Sequence, residues 1–151
     1  MMQLDRIVDN FDIFLEGTWM TMQLTGLALF FGFCIALPCG LARARRTRFL
    51  SPLINAYVYA FRGTPLLVQL YLVYYGLAQF DVVKDSFAWP VLREAYWCAL
   101  ITFSLNSGAY ATEIIRGAIE TTPEGEIEAA TALGLTKFQV ARLVLIPSAL
   151  R

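Results

Sequence analysis

Charge is absent from three stretches of this chain, residues 17–42, 63–80 and 95–112, which are 26, 18 and 18 residues long. An α-helix needs roughly 20 apolar residues to cross about 30 Å of hydrocarbon, so each stretch predicts a membrane span, the shorter two making thin crossings. Pro38 and Gly40, near the end of the first, predict a kink or an early stop. Residues 49–61 are also uncharged but too short to span, and they lead into Arg62, Gly63, Thr64 and Pro65. Threonine before proline makes a good helix N-cap and first position, because proline there forfeits no hydrogen bond. The pattern predicts a helix near the interface up to Arg62, a break, and a span over 63–80 whose Tyr71, Tyr74 and Tyr75 suit the outer interface. Ahead of the first span, Leu4, Ile7, Val8, Phe11, Phe14 and Leu15 form a helical stripe, with Asp5, Asp9, Asp12 and Glu16 mostly between them. Residues 1–16 thus predict a short amphipathic helix on the outer membrane surface.

The polar intervals set the orientation. Arg43, Arg45, Arg46 and Arg48 arrive together after the first span, and the positive-inside rule places them in the cytoplasm and the acidic N-terminus outside. Residues 81–94 hold five charges, two of them basic, and predict an external loop. Asn106 and Ser107 lie within the third stretch. An amide in lipid needs a partner, so Asn106 should face the bundle interior, either as helix–helix glue or in contact with a transported solute. Glu113 and Arg116 are three apart and can pair on one face at the inner end of that span. Residues 119–143 then form a charged cytoplasmic segment. Thr122, Pro123 and Glu124 start a helix there, and Glu126 and Glu128 complement its dipole. Gly134 supplies a left-handed stop, and Thr136 with Gln139 three residues on predicts a capping box for a second helix. Apolar residues from Val140 onward suggest a fourth span beginning at Pro147. The fold class is all-α: a polytopic transmembrane helical bundle, one domain over residues 1–151, with a helix–turn–helix projecting inward.

Composition agrees. The chain is 58% apolar and 16% charged, against roughly 25% charged in a soluble domain. Its twelve basic and twelve acidic residues cancel but are clumped between the apolar runs. No histidine is present, which excludes His-based metal sites, Ser-His-Asp triads and Cys-His pairs. Cys34, Cys39 and Cys98 fall inside apolar runs without CxxC spacing and read as small apolar residues. No P-loop occurs, no catalytic constellation converges, and neither a cofactor nor a nucleic-acid partner is expected.

Glu128, Ala129 and Ala130, then Gly134, then Val144, Leu145, Ile146 and Pro147 carry a specific spacing: E-A-A, three residues, G, nine residues, and a pattern close to I-x-L-P. This resembles the signature of the membrane subunits of bacterial ABC importers. Two blocks narrow it, FRGTPLLVQLYLVYYGL (61–77) and LNSGAYATEIIRGAIETTPEGEIEAATALG (105–134), which look like the polar amino acid branch. Within that branch the chain is most similar to subunits for histidine, lysine, arginine, ornithine and opine uptake.

The resemblance implies an inner-membrane permease that forms a translocation path and performs no chemistry. Its expected partners are a second similar permease chain (or a copy of itself), two copies of a cassette ATPase and a periplasmic binding protein. It further implies that Glu128, Ala129, Ala130, Gly134 and Pro147 couple the chain to that ATPase. The block Arg62, Gly63, Thr64 and Pro65 is carried over as family motif, and two further helices are expected beyond Arg151, so the sequence looks truncated. Other classes stay open on the residues alone. An ATP-independent transporter or channel would want ionisable relays within the spans, where Asn106 is the strongest polar candidate. A membrane enzyme would need a nucleophile or acid–base pair, and a structural subunit demands nothing of the sequence.

Overall fold

The computed structural model describes residues 11–44, 49–145 and 147. Every regular element among them is helical. Helix α1 spans Phe11–Ala44, α2 Leu50–Gly63 and α3 Leu66–Tyr71. A π-helical turn at Leu72–Gly76 and a 3-10 turn at Leu77–Gln79 prolong α3. Two short helices follow, α4 Asp81–Lys84 and α5 Trp89–Leu92, before α6 Ala95–Glu120. The last elements are α7 Glu124–Ala132, α8 Lys137–Val140 and a π-helical turn at Ala141–Leu145.

The packing centre is the seam between α1 and α6, the most extensive contact of the chain. Its cause lies in side-chain size. Ala28, Gly32, Ala36 and Gly40 recur every four residues and are the buried face of α1. Opposite them lie Ser104, Gly108 and Thr112, buried on α6. A Cβ on Gly32 would fall on Ser107 Oγ and stand 3.0 Å from the Gly108 nitrogen and 3.1 Å from the Ser104 oxygen. Small residues at four-residue spacing let two backbones approach where no hydrophobic force drives helices together in lipid. Trp19, Met22 and Phe30 of α1 are more than half exposed, away from that buried face. Among the described residues α1 is the one helix long and apolar enough to cross a membrane by those criteria.

The buried threonine and serine hydroxyls of α6 are satisfied locally. Thr102, Ser104 and Thr112 donate to the carbonyls of Cys98, Leu100 and Gly108 at 2.7, 2.6 and 2.7 Å. Tyr57 of α2 donates to the Leu105 carbonyl at 2.5 Å, fastening α2 to α6.

Several expectations shift. Pro38 neither stops nor interrupts α1, which runs on to Ala44. Residues 11–16 are the first turns of that same helix rather than a separate surface helix, while residues 1–10 lie outside the described residues. The stretch expected at 63–80 is shorter as a helix, because Gly63 completes α2 and the backbone is extended at Thr64 and Pro65. Leu66–Gln79 then covers about 21 Å at helical rise, so a crossing there requires a locally thinned bilayer. The third stretch continues past Thr112 to Glu120, so its charged end projects beyond the apolar part. A fourth span at Pro147 falls almost wholly outside the described residues.

Candidate functional site: a glycine hairpin and a polar seam

Past the end of α6, the chain makes the hairpin that the glycine predicts. Gly134 has φ +79°. Its N–H donates to the Thr131 carbonyl at 3.0 Å, and Leu135 N–H donates to the Ala130 carbonyl at 3.2 Å. This pair of bonds is the Schellman closure of a helix, and only glycine takes its left-handed backbone cheaply. The capping box forms as expected: Gln139 Oε1 accepts from Thr136 N–H at 2.8 Å, and Gln139 N–H donates to Thr136 Oγ1 at 3.4 Å. The first helix starts differently from expectation. Pro123 is its N-cap, and the Thr122 hydroxyl turns back to the Ala118 carbonyl at 3.4 Å.

The two ends of the EAA-type spacing meet in space. Ala129, Ala130, Val144 and Pro147 line one groove of about 480 Å³, with Glu126, Leu133, Leu135 and Leu143. Glu128 is exposed outside that groove, and a Cβ on Gly134 would meet open space. Leu133 and Phe138 are 81% and 74% exposed, so the hairpin carries large apolar side chains on its outside.

A second polar construction occupies the break between α2 and α3. Thr64 does not cap α3; its hydroxyl donates to the Ala60 carbonyl at 2.7 Å, and Pro65 holds the N-cap position. The carbonyls freed at the end of α2 are met by Gln69, buried in α3, whose Nε2 lies 2.7 Å from Phe61 O, 3.0 Å from Thr64 O and 2.8 Å from Thr64 Oγ1. Asn106 of α6 donates to Gln69 Oε1 at 3.0 Å and to Phe61 O at 3.4 Å, facing inward as lipid requires. Ser107 lies on the α1 side instead and donates to Ala28 O at 3.1 Å. Gln69 was not singled out from the sequence, although a glutamine in the middle of an uncharged run was its signal.

Near the end of the uncharged part of α6, three arginines converge on one carboxylate. Glu113 pairs with Arg43 of α1 and with Arg116 on its own helix, and Arg62 of α2 stands 3.8 Å away. Arg116 also pairs with Glu120. The Arg62 guanidinium lies 5.3 Å from the Tyr110 ring centroid, within cation–π range. Arg116 holds the Glu113 carboxyl below the ordinary carboxylate range; burial opposes the shift, and Arg43 reinforces it. Sequence spacing gave the Glu113–Arg116 pair but not Arg43 or Arg62, which come from other helices. Arg43, Arg62, Tyr110 and Glu113, with Asn55, Val58, Tyr59 and Gly63, line an open cleft of about 650 Å³. No group of carboxylates and thiols among the described residues could hold a metal ion.

Known proteins are similar to this chain in sequence and in fold. The octopine transport system permease protein of Rhizobium radiobacter is 44% identical over 142 residues, covering 94% of this chain and 58% of the relative. The arginine ABC transporter permease protein of Haemophilus influenzae is 37% identical, covering 92% of this chain and 61% of its own length. A crystal structure of an amino acid ABC transporter superposes with a TM-score of 0.76 at 34% identity, covering 96% of this chain and 64% of that one. This chain thus spans about three-fifths of the length of these permeases. The family model for the binding-protein-dependent transport system inner membrane component matches residues 23–151. The chain belongs to that family of inner membrane transport components.

Proposed function

We propose that this chain is the permease subunit of an ATP-driven importer for polar, mainly cationic, amino acids or opines. The observation that carries the reading is the hairpin at 124–140: a rigid turn closed by Gly134, with Leu133 and Phe138 exposed and the ends of the signature meeting in one groove. Large apolar groups on a projecting helical turn suit a soluble partner's cleft better than water. ATP binding and hydrolysis on that partner move the hairpin, and the helices rock between inward and outward openings. The names of the relatives, permeases for octopine and arginine, support the solute class.

In this reading the helices around 17–42, 63–80 and 95–112 cross the bilayer. The N-terminus faces the periplasm, and residues 119–143 lie in the cytoplasm. Glu128, Ala129, Ala130, Gly134 and Pro147 engage the ATPase, with Glu128 offering an anionic handle. A second permease chain or a second copy completes the path, two ATPase copies drive it, and a periplasmic binding protein delivers the solute. Arg62, Gly63, Thr64 and Pro65 build the break that Gln69 and Asn106 hold, and Asn106 with Ser107 lies near the solute's route.

The test is reconstitution of the full-length subunit in vesicles with its ATPase and binding protein, following labelled arginine, ornithine, lysine and histidine. ATP-dependent accumulation of at least one is expected. Accumulation without ATP would replace this reading with an ATP-independent transporter, and no accumulation of any polar amino acid would overturn it.

A further inference from the structure

The π-helical turn at Leu72–Gly76 widens the helix in the middle of an aromatic cluster. Such turns waste backbone geometry and recur at functional sites. Here the rings of Tyr71 and Tyr75 stack with centroids 5.4 Å apart, and Tyr74 meets Tyr75 edge-on at 4.8 Å and 77°. The three tyrosines line a groove of about 310 Å³ whose far wall is Ala95 and Ala99 of α6. A simple interfacial belt would aim its rings at lipid head groups, whereas these rings border a recess that two alanines keep open. Tyr71 and Tyr75 are 56% and 57% exposed, so each keeps ring surface open outside the stack.

We propose that this groove holds the cationic end of the transported solute, a guanidinium or alkylammonium group, against the tyrosine ring faces. The proposal rests on the permease reading above. Its chemistry is complementary: the lining offers π faces and contains no acidic or basic residue. A cation is attracted to such faces, and the attraction grows as water is removed. The absence of a carboxylate suits a transporter, because an ion pair in a low-dielectric site would hold the solute too firmly to release. Asn106 lies two helical turns inward from Ala99, about 10 Å at helical rise. Its Oδ1 makes no hydrogen bond among the described residues, which leaves an acceptor within reach of the α-ammonium of an extended arginine.

The experiment is equilibrium dialysis of labelled arginine and of citrulline, its uncharged near-isostere, with the purified assembled transporter lacking its binding protein. Wild type should prefer arginine by about tenfold. Tyr75→Leu and Tyr71→Leu should each remove most of that preference, while Tyr75→Phe, which keeps the ring, should retain it. A wild type that binds both solutes alike overturns the inference without any variant. So does a Leu variant that keeps the preference, or a Phe variant that loses it as fully as Leu. Uptake in vesicles is measured in parallel: its failure in wild type defeats the permease reading, whereas normal uptake with no arginine preference defeats only the tyrosine site.

Discussion

The seam between α1 and α6 and the hairpin at 124–140 are built on opposite principles. In the seam, glycine is needed for proximity: atoms of α6 occupy the place where a Gly32 side chain would start. In the hairpin, glycine is needed for backbone conformation: Gly134 has φ +79° and empty space around it. One glycine holds two helices together, and the other frees a turn to stand clear of them. In the proposed function, a bundle that moves as a body and a knob by which it is moved call for these two uses.

Breaking the seam should have the largest effect. Gly32→Val places branched carbons against the Gly108 and Ser104 backbone, which cannot rotate aside as a side chain could. A loss of roughly 3 kcal/mol is expected, enough to deplete folded protein in membranes. Size-exclusion profiles in detergent would check it, with Gly26→Ala, which meets open space, remaining near wild type.

Next comes the carboxylate that gathers three arginines. Glu113→Gln leaves Arg43 and Arg62 without their anion, and a loss of about 2 kcal/mol is expected, measured by thermal unfolding in detergent. The same group sets a pH dependence. Its folded pKa lies below the ordinary 4.5, so its contribution is complete above that pH and is lost as pH falls through the folded value. The Gln variant should therefore lose its deficit relative to wild type as both are taken to strongly acidic pH.

Gly134→Pro sharpens the contrast from the other side. Proline cannot adopt φ +79° and removes the N–H that meets the Thr131 carbonyl. The seam is untouched, so membrane insertion and unfolding temperature should stay near wild type while ATP hydrolysis and uptake come apart. Unchanged transport would count against the docking role. The smallest effect is assigned to Tyr57→Phe, which deletes one hydrogen bond to Leu105 and should cost about 0.6 kcal/mol in the same unfolding assay.

Local chemistry was legible in the sequence wherever cause and effect lie within one turn. The left-handed Gly134, the Thr136–Gln139 box, the interruption beside Pro65 and the Glu113–Arg116 pair all follow from spacing. Thr64 misled because its hydroxyl stood between the unpaired N–H groups at the start of α3 and the carbonyls at the end of α2, and it donates to the latter. Pro38 misled because a proline can be held inside a helix that neighbouring packing supports, and Ala36 and Gly40 on either side are buried in the seam. Arg43 and Arg62 reach Glu113 only through tertiary packing, which no local pattern encodes. The four-residue recurrence of Ala28, Gly32, Ala36 and Gly40 was present in the sequence, but a hydropathy profile weighs apolarity and overlooks size.

Cysteine crosslinking in membranes tests the central claim most directly. With single cysteines at Glu128 and Ala129, full-length subunit and ATPase should crosslink at short range, in a yield that changes when ATP is bound. A membrane-impermeant thiol reagent added outside should not reach either position. Labelling from outside, or no crosslink in any nucleotide state, would contradict the account of a bundle moved by its inner hairpin.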